Sequence, residues 1–180
     1  LEASSHGLKQ HRLDGLNFDT GIFTNLSRDH LDYHKSFKDY FDSKMILFNK
    51  LMKKNSKVIY DRDILESKKI EKIIKRKKLK CYCLGEKKSD LKVIEHSFLG
   101  KKQKITFVFK NQKYSFESNL IGAIQIKNLL FAVLAANKIL PMKKIIKSLS
   151  KIKSVNGRFE KIGNLKNNSI VILDFAHTPQ

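Results

Sequence analysis

A lysine stands on a predicted amphipathic helix where an apolar side chain is expected. At 100° per residue, the helix predicted over residues 31–52 gathers its apolar side chains on one stripe, and Lys44 lies in the middle of it. Burial of an amine favours its neutral, nucleophilic form, so an inward-facing lysine is costly unless the protein uses it. The stripe consists of Phe37, Tyr40, Phe41, Phe48 and Leu51.

Glu2, His30 and Lys44 form a candidate Mg²⁺ site. A neutral amine adds carbon dioxide to give an anionic carbamate (N6-carboxylysine), which offers oxygen ligands of the kind that Mg²⁺ prefers. Carboxylate and imidazole groups are ordinary metal ligands. The alternative interpretation is that Lys44 extends past the helix into solvent, or pairs with Asp42 or another nearby carboxylate.

A zinc centre is a second alternative for the same segment. His30 and His34 are four residues apart on the predicted helix, a spacing found in many zinc sites. The H-E-x-x-H sequence of hydrolytic zinc enzymes does not occur here, which weakens this interpretation. The neighbouring Asp29 and Asp32 are also typical of the first turn of a helix, where acidic side chains interact favourably with the helix dipole.

The loop after the first predicted strand carries side chains suited to an anion. Ser4, Gln10 and Arg12 offer a hydroxyl, an amide and a guanidinium, which together suit an anionic, polyhydroxylated ligand. Surface loops contain the same residue types, so this set does not by itself distinguish a ligand site from an ordinary loop.

Strand and helix patterns alternate along much of the chain. Three polar clusters, LEASSH, TNLSRDH and LDFAHTP, directly follow or end apolar segments. In a parallel sheet the carboxyl ends of the strands meet at one edge, so we expect these clusters to converge there. The predicted strands span residues 1–4, 18–24, 57–60, 81–84 and 170–174, and the predicted helices span 31–52 (capped by Ser27 or Asp29), 64–77, 121–140 and 142–149.

Three alternating segments, at residues 91–99, 104–110 and 113–120, predict an antiparallel meander. We therefore assign the chain to the α/β class, with a mainly parallel sheet flanked by helices and a small antiparallel annex. The turn at Asn156 and Gly157 predicts a boundary nearby. One domain is expected over residues 1–152, and 153–180 is expected to be a hinge and the first strand of another α/β domain.

The net charge of +20 invites a nucleic-acid-binding interpretation, but the kind of basic residue argues against it. Only five of the 37 basic residues are arginine, the residue favoured for base contacts and for bidentate phosphate contacts. The lysines are spread along the chain, and the densest run, residues 68–80, is predicted to be the solvated face of a helix. A basic nucleic-acid-binding module is nevertheless the rival from another functional class.

Several other patterns bound the class of protein. A hydrophobic content of 41% is enough for a packed core. Cys81 and Cys83 share one face of a predicted strand and have no second pair, so we interpret them as reduced structural thiols. The glycines form neither a P-loop nor a G-x-S-x-G elbow. The chain opens on neither a signal peptide nor a membrane segment, and we expect a cytoplasmic protein that continues beyond both ends of this chain.

Five motifs, in order along nearly the whole chain, resemble the Mur ligase family, and most closely its MurE type. LEASSHGLKQHR looks like the family's E-x-S-S-H-x-L-x-Q-x-R loop, and TNLSRDHLDYH looks like its T-N-L-x-x-D-H-L-D-Y-H. FDSKMILF is similar to the helix that carries the family's carbamylated lysine. NGRFE and LDFAHTP are similar to the G-R-x-E and D-Y-A-H-T-P elements at the junction with the carboxyl-terminal domain.

The resemblance implies three groups of site residues. Two positions depart from the family pattern, since Gln125 stands where many relatives carry Asn and Phe175 replaces the more usual Tyr. The implied groups are Ser4, Gln10 and Arg12 as contacts to the UDP-N-acetylmuramoyl-dipeptide, Glu2, His30 and the carbamylated Lys44 as the catalytic Mg²⁺ site, and Asn128, Arg158 and Asp174 as contacts to ATP.

The resemblance also implies ATP-dependent amide-bond formation in peptidoglycan precursor synthesis. The ligase would add a third residue, expected to be meso-diaminopimelate, to UDP-N-acetylmuramoyl-L-alanyl-D-glutamate through an acyl phosphate. The family's phosphate-binding loop would lie upstream of Leu1 and its amino-acid-binding domain after Gln180, so this part is expected to be inactive alone. We expect a monomer that binds no nucleic acid and does not insert into a membrane. Another Mur-type ligase or a folylpolyglutamate-type ligase is the nearest alternative.

Overall fold

The computed structural model describes residues 1–27, 32–99, 102–167 and 169–176. It contains two compact units, Leu1–Leu84 and Gly85–Pro179. Within the described ranges, no helix combines the length and the apolar character needed to cross a bilayer.

The first unit is built on a three-stranded parallel sheet. Strands β1 and β3 each pair with β2, so that Gly21 lies opposite Val58 and Val58 lies opposite Cys81. From Ser56 to Asp61 every residue of β2 is buried, which is typical of the central strand of a parallel sheet. The elements are α1 (Ser5–Lys9), β1 (Phe18–Phe23), α2 (Phe37–Lys50), β2 (Met52–Asp61), α3 (Ser67–Lys77) and β3 (Lys80–Leu84).

One hydrophobic core joins this sheet to its helices. Val58 and Tyr60 of β2 and Cys83 of β3 share the core with residues of α2 and α3, and Cys81 packs against it. Both cysteines are reduced thiols, as the sequence predicted. Of the predicted stripe on α2, the buried members are Tyr40, Phe41, Phe48 and Leu51, whereas Phe37 in the first turn is exposed.

The start of α2 differs from the prediction. The helix begins at Phe37, and its N-cap is Ser36, whose hydroxyl accepts a hydrogen bond from the Asp39 backbone N–H at 3.1 Å. The predicted start near residue 31 with Ser27 as a cap is therefore wrong, and Asp29, the other predicted cap, lies outside the described residues. The backbone of Ser36 is extended, and its hydroxyl accepts a hydrogen bond from an N–H of the first turn that has no carbonyl partner within the helix. The helix therefore begins after Ser36.

The amino-terminal segment also differs from the prediction. Residues 1–4 are not a strand, and a short helix, α1, forms inside the predicted loop. Ser4 caps it, because the Ser4 Oγ accepts a hydrogen bond from the Gly7 N–H at 3.1 Å. The segment is too short for hydrophobic periodicity to reveal a helix, so only the cap signal was available in the sequence.

The second unit contains the predicted antiparallel meander. Strands β4 and β6 each pair with β5, and the apolar side chains of β5 that face inward, Ile105, Phe107 and Phe109, are buried. Helix α5 packs against β6 and also contacts α4. The elements are β4 (Leu91–Leu99), β5 (Lys102–Phe109), β6 (Gln112–Ser118), α4 (Ala123–Ala136) and α5 (Met142–Leu149), followed by β7 (Glu160–Asn164) and β8 (Ile170–Leu173).

Strands β7 and β8 form an antiparallel pair that corrects the prediction of one further buried strand at residues 170–174. β8 is mainly exposed, with Ile170 at 52% and Leu173 at 39% of full exposure. β7 was not predicted, because its sequence EKIGN has one large apolar residue and a glycine. The α/β class is confirmed, with a parallel sheet and an antiparallel annex of three strands. The boundary near residue 152 stays a prediction.

Candidate functional site

The turn that contains α1 presents the three side chains predicted to bind an anion. Ser4 precedes the helix, Gln10 ends it, and the Arg12 backbone N–H donates a hydrogen bond to the Gly7 carbonyl at 2.9 Å. All three residues are exposed. A side chain at Gly7 would crowd the Ser4 hydroxyl, since its Cβ would lie 3.2 Å from the Ser4 Oγ. The local fold therefore gathers a hydroxyl, an amide and a guanidinium on one turn.

Tyr33 supports this turn from the segment before α2. The Gln10 Nε2 donates a hydrogen bond to the Tyr33 hydroxyl at 3.2 Å. The ring of His6, on α1, lies 4.1 Å from the Tyr33 ring between centroids, and the Lys9 ammonium lies 5.6 Å from the Tyr33 centroid. Tyr33 thus contacts two side chains of α1 and the capping residue Gln10, and it helps to orient the predicted ligand-binding amide of Gln10.

His34 is buried between α1 and α2. Its side chain has no exposed surface, and its Nε2 lies 2.9 Å from the Ser5 Oγ. Its Nδ1 lies 3.6 Å from Asp39 Oδ2 and is the one buried side-chain polar atom, among the described residues, that lacks a hydrogen-bond partner. Burial lowers the pKa of His34 below its ordinary value, although the Asp39 carboxylate opposes this effect.

The carboxylate of Asp39 lies on the Nδ1 side of the His34 ring. It accepts hydrogen bonds from the Lys9 ammonium and from the Lys35 backbone N–H. The hydrogen bond from Lys9 lowers the pKa of Asp39, so this carboxyl group stays ionised. Lys9 belongs to α1 and Asp39 to α2, so the ion pair is a second polar link between these helices.

The environment of His34 does not favour the zinc alternative. The residue lies in the turn before α2 rather than on the predicted helix, and its partner in the predicted pair, His30, lies outside the described residues. Its Nε2 is engaged by Ser5, and its ring packs against Tyr40 with 5.1 Å between centroids. Over the ranges the structure describes, no three His, Cys, Asp or Glu side chains are grouped to hold a metal ion.

Lys44 is half-buried on α2. Its Nζ lies 5.0 Å from the ring centroid of Tyr40, which is itself buried. Partial burial is also expected for a lysine whose stem is covered and whose amine reaches past the helix, so this alternative stays open. Asp42, the partner proposed in the other alternative, accepts a hydrogen bond from Lys38 at 2.6 Å. A half-buried amine over an aromatic face is a suitable precursor of a carbamate only in its neutral form.

The remaining parts of the predicted Mg²⁺ site are less fully described. Glu2 is exposed two residues before the cap of α1, and its carboxylate is accessible to a ligand. His30 lies outside the described residues. The carboxylate and the carbamate offer the oxygen ligands that Mg²⁺ prefers, and the imidazole would add one nitrogen ligand. The assembly of these three groups stays a prediction.

The predicted ATP contacts belong to the second unit. Asp174 accepts hydrogen bonds from the Phe159 and Ala176 backbone N–H groups, each at 2.7 Å, and so connects the turn at Arg158 to the end of β8. Gln125, in the first turn of α4, donates to the Arg158 carbonyl at 3.0 Å. The exposed Asn128 follows Gln125 by one helical turn. Gln125 thus connects the helix of Asn128 to the turn of Arg158.

Sequence reasoning missed the buried group around His34. Ser5, His34 and Asp39 come from three short segments with unremarkable local patterns, and the predicted helix start placed His34 on a helix. The one available signal was the density of histidine and tyrosine in SSH and DYH. Their contacts arise only when α1 packs against the start of α2.

Comparison with known proteins gives a consistent family match. Residues 1–136 match the model of the Mur ligase middle domain. The UDP-N-acetylmuramoyl-L-alanyl-D-glutamate--2,6-diaminopimelate ligase of Rickettsia bellii (strain RML369-C) is 37% identical over 180 residues, and the protein of the same name from Zymomonas mobilis subsp. mobilis (strain ATCC 31821 / ZM4 / CP4) is 33% identical over 183 residues. Each alignment covers 99% of this chain but only 37% of the relative.

Solved structures share the fold. A solved structure of a UDP-N-acetylmuramoyl-L-alanyl-D-glutamate--2,6-diaminopimelate ligase aligns with a TM-score of 0.84 and 26% identity. The alignment covers 99% of this chain and 37% of the other. The MurF ligase of Thermotoga maritima in complex with ADP aligns with a TM-score of 0.72 and 14% identity, covering 90% of this chain and 36% of the other. At the lower identity, the likeness concerns the fold alone.

Proposed function

The chain belongs to the Mur ligase family, and we propose that the whole protein is the ATP-dependent ligase that adds the third residue to UDP-N-acetylmuramoyl-L-alanyl-D-glutamate. The observation that carries this proposal is the alignment of 99% of the chain with relatives that bear the name of this ligase. Their name supports 2,6-diaminopimelate as the incoming amino acid, and we propose its meso form. The chain spans 37% of those relatives, so the proposal concerns the longer protein.

The turn around α1 is the proposed site for the nucleotide-linked dipeptide. Ser4, Gln10 and Arg12 present exposed polar groups from one turn, and the hydroxyl of Tyr33 supports the amide of Gln10. A guanidinium suits a phosphate or carboxylate, and hydroxyl and amide groups suit the sugar and the peptide.

The proposed ATP contacts are Asn128, Arg158 and Asp174. Gln125 supports this group by donating a hydrogen bond to the Arg158 carbonyl. In our proposal Gln125 has this supporting role and does not contact the nucleotide directly. We further propose that residues 1–152 belong to the middle domain and that 153–180 form the hinge and the first strand of the carboxyl-terminal domain. The protein is proposed to act in the cytoplasm as a monomer.

The proposed reaction has two steps. An oxygen of the D-glutamyl carboxylate forms a bond to the γ-phosphorus of ATP, and the bond to the bridging oxygen breaks, so that ADP leaves. The amine of the incoming amino acid then forms a bond to the acyl carbon, phosphate leaves with the C–O electron pair, and the nitrogen loses a proton. The first step brings two anions together, so positive charge is needed at that point.

Glu2, His30 and the carbamylated Lys44 are proposed to hold Mg²⁺. The ion, when bound, neutralises charge on the phosphate oxygens. Tyr40 lies one turn earlier on α2, and the face of its ring lies next to the amine of Lys44. Carbamylation would replace the cation of Lys44 with an anion that offers oxygen ligands.

The test uses the full-length protein with ATP, Mg²⁺, UDP-N-acetylmuramoyl-L-alanyl-D-glutamate and meso-diaminopimelate. We expect release of one phosphate per product and a product mass equal to the joined substrates less one water. Two control reactions are run, one with L-lysine in place of meso-diaminopimelate and one without the UDP-linked dipeptide. Phosphate release without a joined product, or equal use of every amine offered, would contradict the proposal.

A further inference from the structure

A chain of polar side chains connects the proposed substrate-binding turn to the helix that carries Lys44, and two of its three members, Ser5 and His34, are buried. It runs from the hydroxyl of Ser5 on α1, through the imidazole of His34, to the carboxylate of Asp39 on α2. We propose that His34 is a positioning residue that holds α1 against the start of α2 and thereby sets the affinity for the nucleotide-linked dipeptide. This inference rests on the function proposed above.

The order serine, histidine and aspartate also occurs in acyl-transfer enzymes, where the serine is the nucleophile. Here Ser5 is only 1% exposed and His34 only 2% exposed. A substrate carbonyl has no access to the Ser5 hydroxyl, so this serine does not act as a nucleophile. The three side chains instead join α1 to the start of α2, through polar groups that are costly to leave unpaired when buried.

The direction of the hydrogen bonds follows from the charge on Asp39. A carboxylate 3.6 Å from the Nδ1 of His34 favours the tautomer that carries its hydrogen on Nδ1. The Nε2 then accepts the hydrogen of the Ser5 hydroxyl at 2.9 Å. The separation from Asp39 is longer than a hydrogen bond, so that contact is electrostatic and leaves the Ser5 bond as the directional link to α1.

The ring of His34 also touches the supports of both proposed sites. It lies 5.0 Å from the ring of Tyr33, whose hydroxyl accepts from Gln10. It lies 5.1 Å from the ring of Tyr40, over which the Lys44 ammonium sits. A shift of α1 relative to His34 would therefore move the amide of Gln10 relative to Lys44, which would weaken the binding of a substrate that must reach from one to the other.

The experiment compares Ser5→Ala, His34→Phe and the double variant in the full-length ligase. Each single variant removes the hydrogen bond between Ser5 and His34. We expect the KM for the UDP-linked dipeptide to rise about tenfold in each, with kcat and the KM for ATP changed less than about threefold. The double variant should be no worse than the more affected single variant, because the same link is already lost. His34→Gln, which retains an acceptor for Ser5, should recover part of the affinity.

Ser43→Ala is the matched control. Ser43 is also buried, and its hydroxyl donates to the Asp39 carbonyl at 2.7 Å within α2, so it makes a buried serine bond without linking the helices. Its KM values should stay at the wild-type level. Variants of Ser5 and His34 that lose melting temperature with an unchanged KM for the dipeptide would show a merely structural role and overturn the inference. If the wild-type enzyme is active, the proposed function stands and these variants test the positioning role of His34 alone. If the wild-type enzyme is inactive as this ligase, the proposed function and the positioning role both fail.

Discussion

The environment of the Lys44 amine is formed by neighbouring aromatic side chains. The amine is half-buried over the ring of Tyr40, and Tyr40 in turn packs against His34. Lys38, on the same helix, is by contrast an exposed residue whose ammonium pairs with Asp42. The two lysines are less than two turns apart on α2, so they offer a direct comparison of a half-buried and an exposed amine.

We predict that Lys44→Ala in the full-length protein lowers ligase turnover by about 10²-fold or more, because a charge-stabilising group of the proposed Mg²⁺ site is removed. A short carboxylate such as acetate or propionate should partly restore turnover, since it supplies the missing oxygens. Product formation is measured by chromatography. Lys38→Ala is the control and should stay within about twofold of wild type, because an exposed ion pair contributes little. Wild-type turnover in Lys44→Ala would refute the carbamate role.

His34 predicts a pH dependence of stability. Burial holds the pKa of folded His34 below 6.5, its ordinary value, with Lys9 and His6 acting in the same direction and Asp39 in the opposite one. As the pH falls below about 6.5, the unfolded chain binds a proton that the folded chain does not, so the free energy of unfolding decreases. Above this pH both states are neutral, and this contribution is constant.

We therefore expect urea denaturation to show a smaller loss of stability between pH 7.5 and pH 5.5 for His34→Phe than for the wild type. The comparison concerns the change with pH within each protein, because the variant has its own stability at neutral pH. Parallel stability curves for the two proteins over this range would mean that folded His34 takes up its proton as readily as the unfolded chain.

At the scale of elements, the contact of β1 with α2 is set by a glycine. A Cβ on Gly21 would lie 2.8 Å from the Met52 Sδ and 2.9 Å from the Phe48 Cε1. Both neighbours are buried, with Phe48 only 1% exposed, so they have little room to move. The absence of a side chain at Gly21 lets α2 pack closely on the sheet, and this helix carries Lys44.

We predict that Gly21→Ala destabilises the protein by about 1–3 kcal/mol, the usual range for overpacking a core. Gly163→Ala is the matched control, because Gly163 also lies in a strand but has no atom within 4 Å of the added Cβ. It should leave stability unchanged or raise it by up to about 1 kcal/mol, since alanine has less conformational freedom to lose. Denaturant midpoints at constant slope measure both changes. Equal midpoints for the two variants would show that the core around Gly21 adapts.

Helix α3 explains the densest basic run without a nucleic-acid partner. Ile70 and Ile74 are buried, and Lys68, Lys72 and Lys75 are exposed on the other side. This is the solvated helix face that the sequence predicted. The basic side chains of the last turn, from Lys75 to Lys77, also lie next to the negative end of the helix dipole, where positive charge is stabilising.

At the scale of the whole molecule, the charge of +20 is a property of the lysine-rich composition rather than of one surface. Most lysines of α2, α3 and α5 are exposed, and these helices belong to different units. Such a dispersed charge attracts polyanions without selecting a sequence, because phosphate contacts carry no base information.

We predict that binding to a fluorescent RNA or duplex DNA is weak and independent of sequence. It should be detectable near 50 mM salt and lost by about 200 mM, because it depends on the release of counterions. Fluorescence anisotropy across a salt series, with two unrelated sequences, measures this. Submicromolar affinity at about 150 mM salt with a preference for one sequence would instead favour the nucleic-acid-binding module.

The sequence alone predicted the class of fold and most of the strands, because hydrophobic periodicity and local motifs are properties of neighbouring residues. The meander, α5 and the buried stripe of α2 followed from such patterns. The burial of His34 did not, because it depends on Ser5, which is distant in sequence. The cap at Ser36 and the pairing of β7 with β8 are local, but the apolar stripe does not mark the first turn of α2 and the sequence of β7 has weak strand character. The roles of the candidate site residues came from the resemblance of local motifs to a family and stay predictions. Only the tertiary structure brought Ser5, His34 and Asp39 together and placed Lys44 over Tyr40, since packing of α1 against α2 decides which polar groups lose their contact with water.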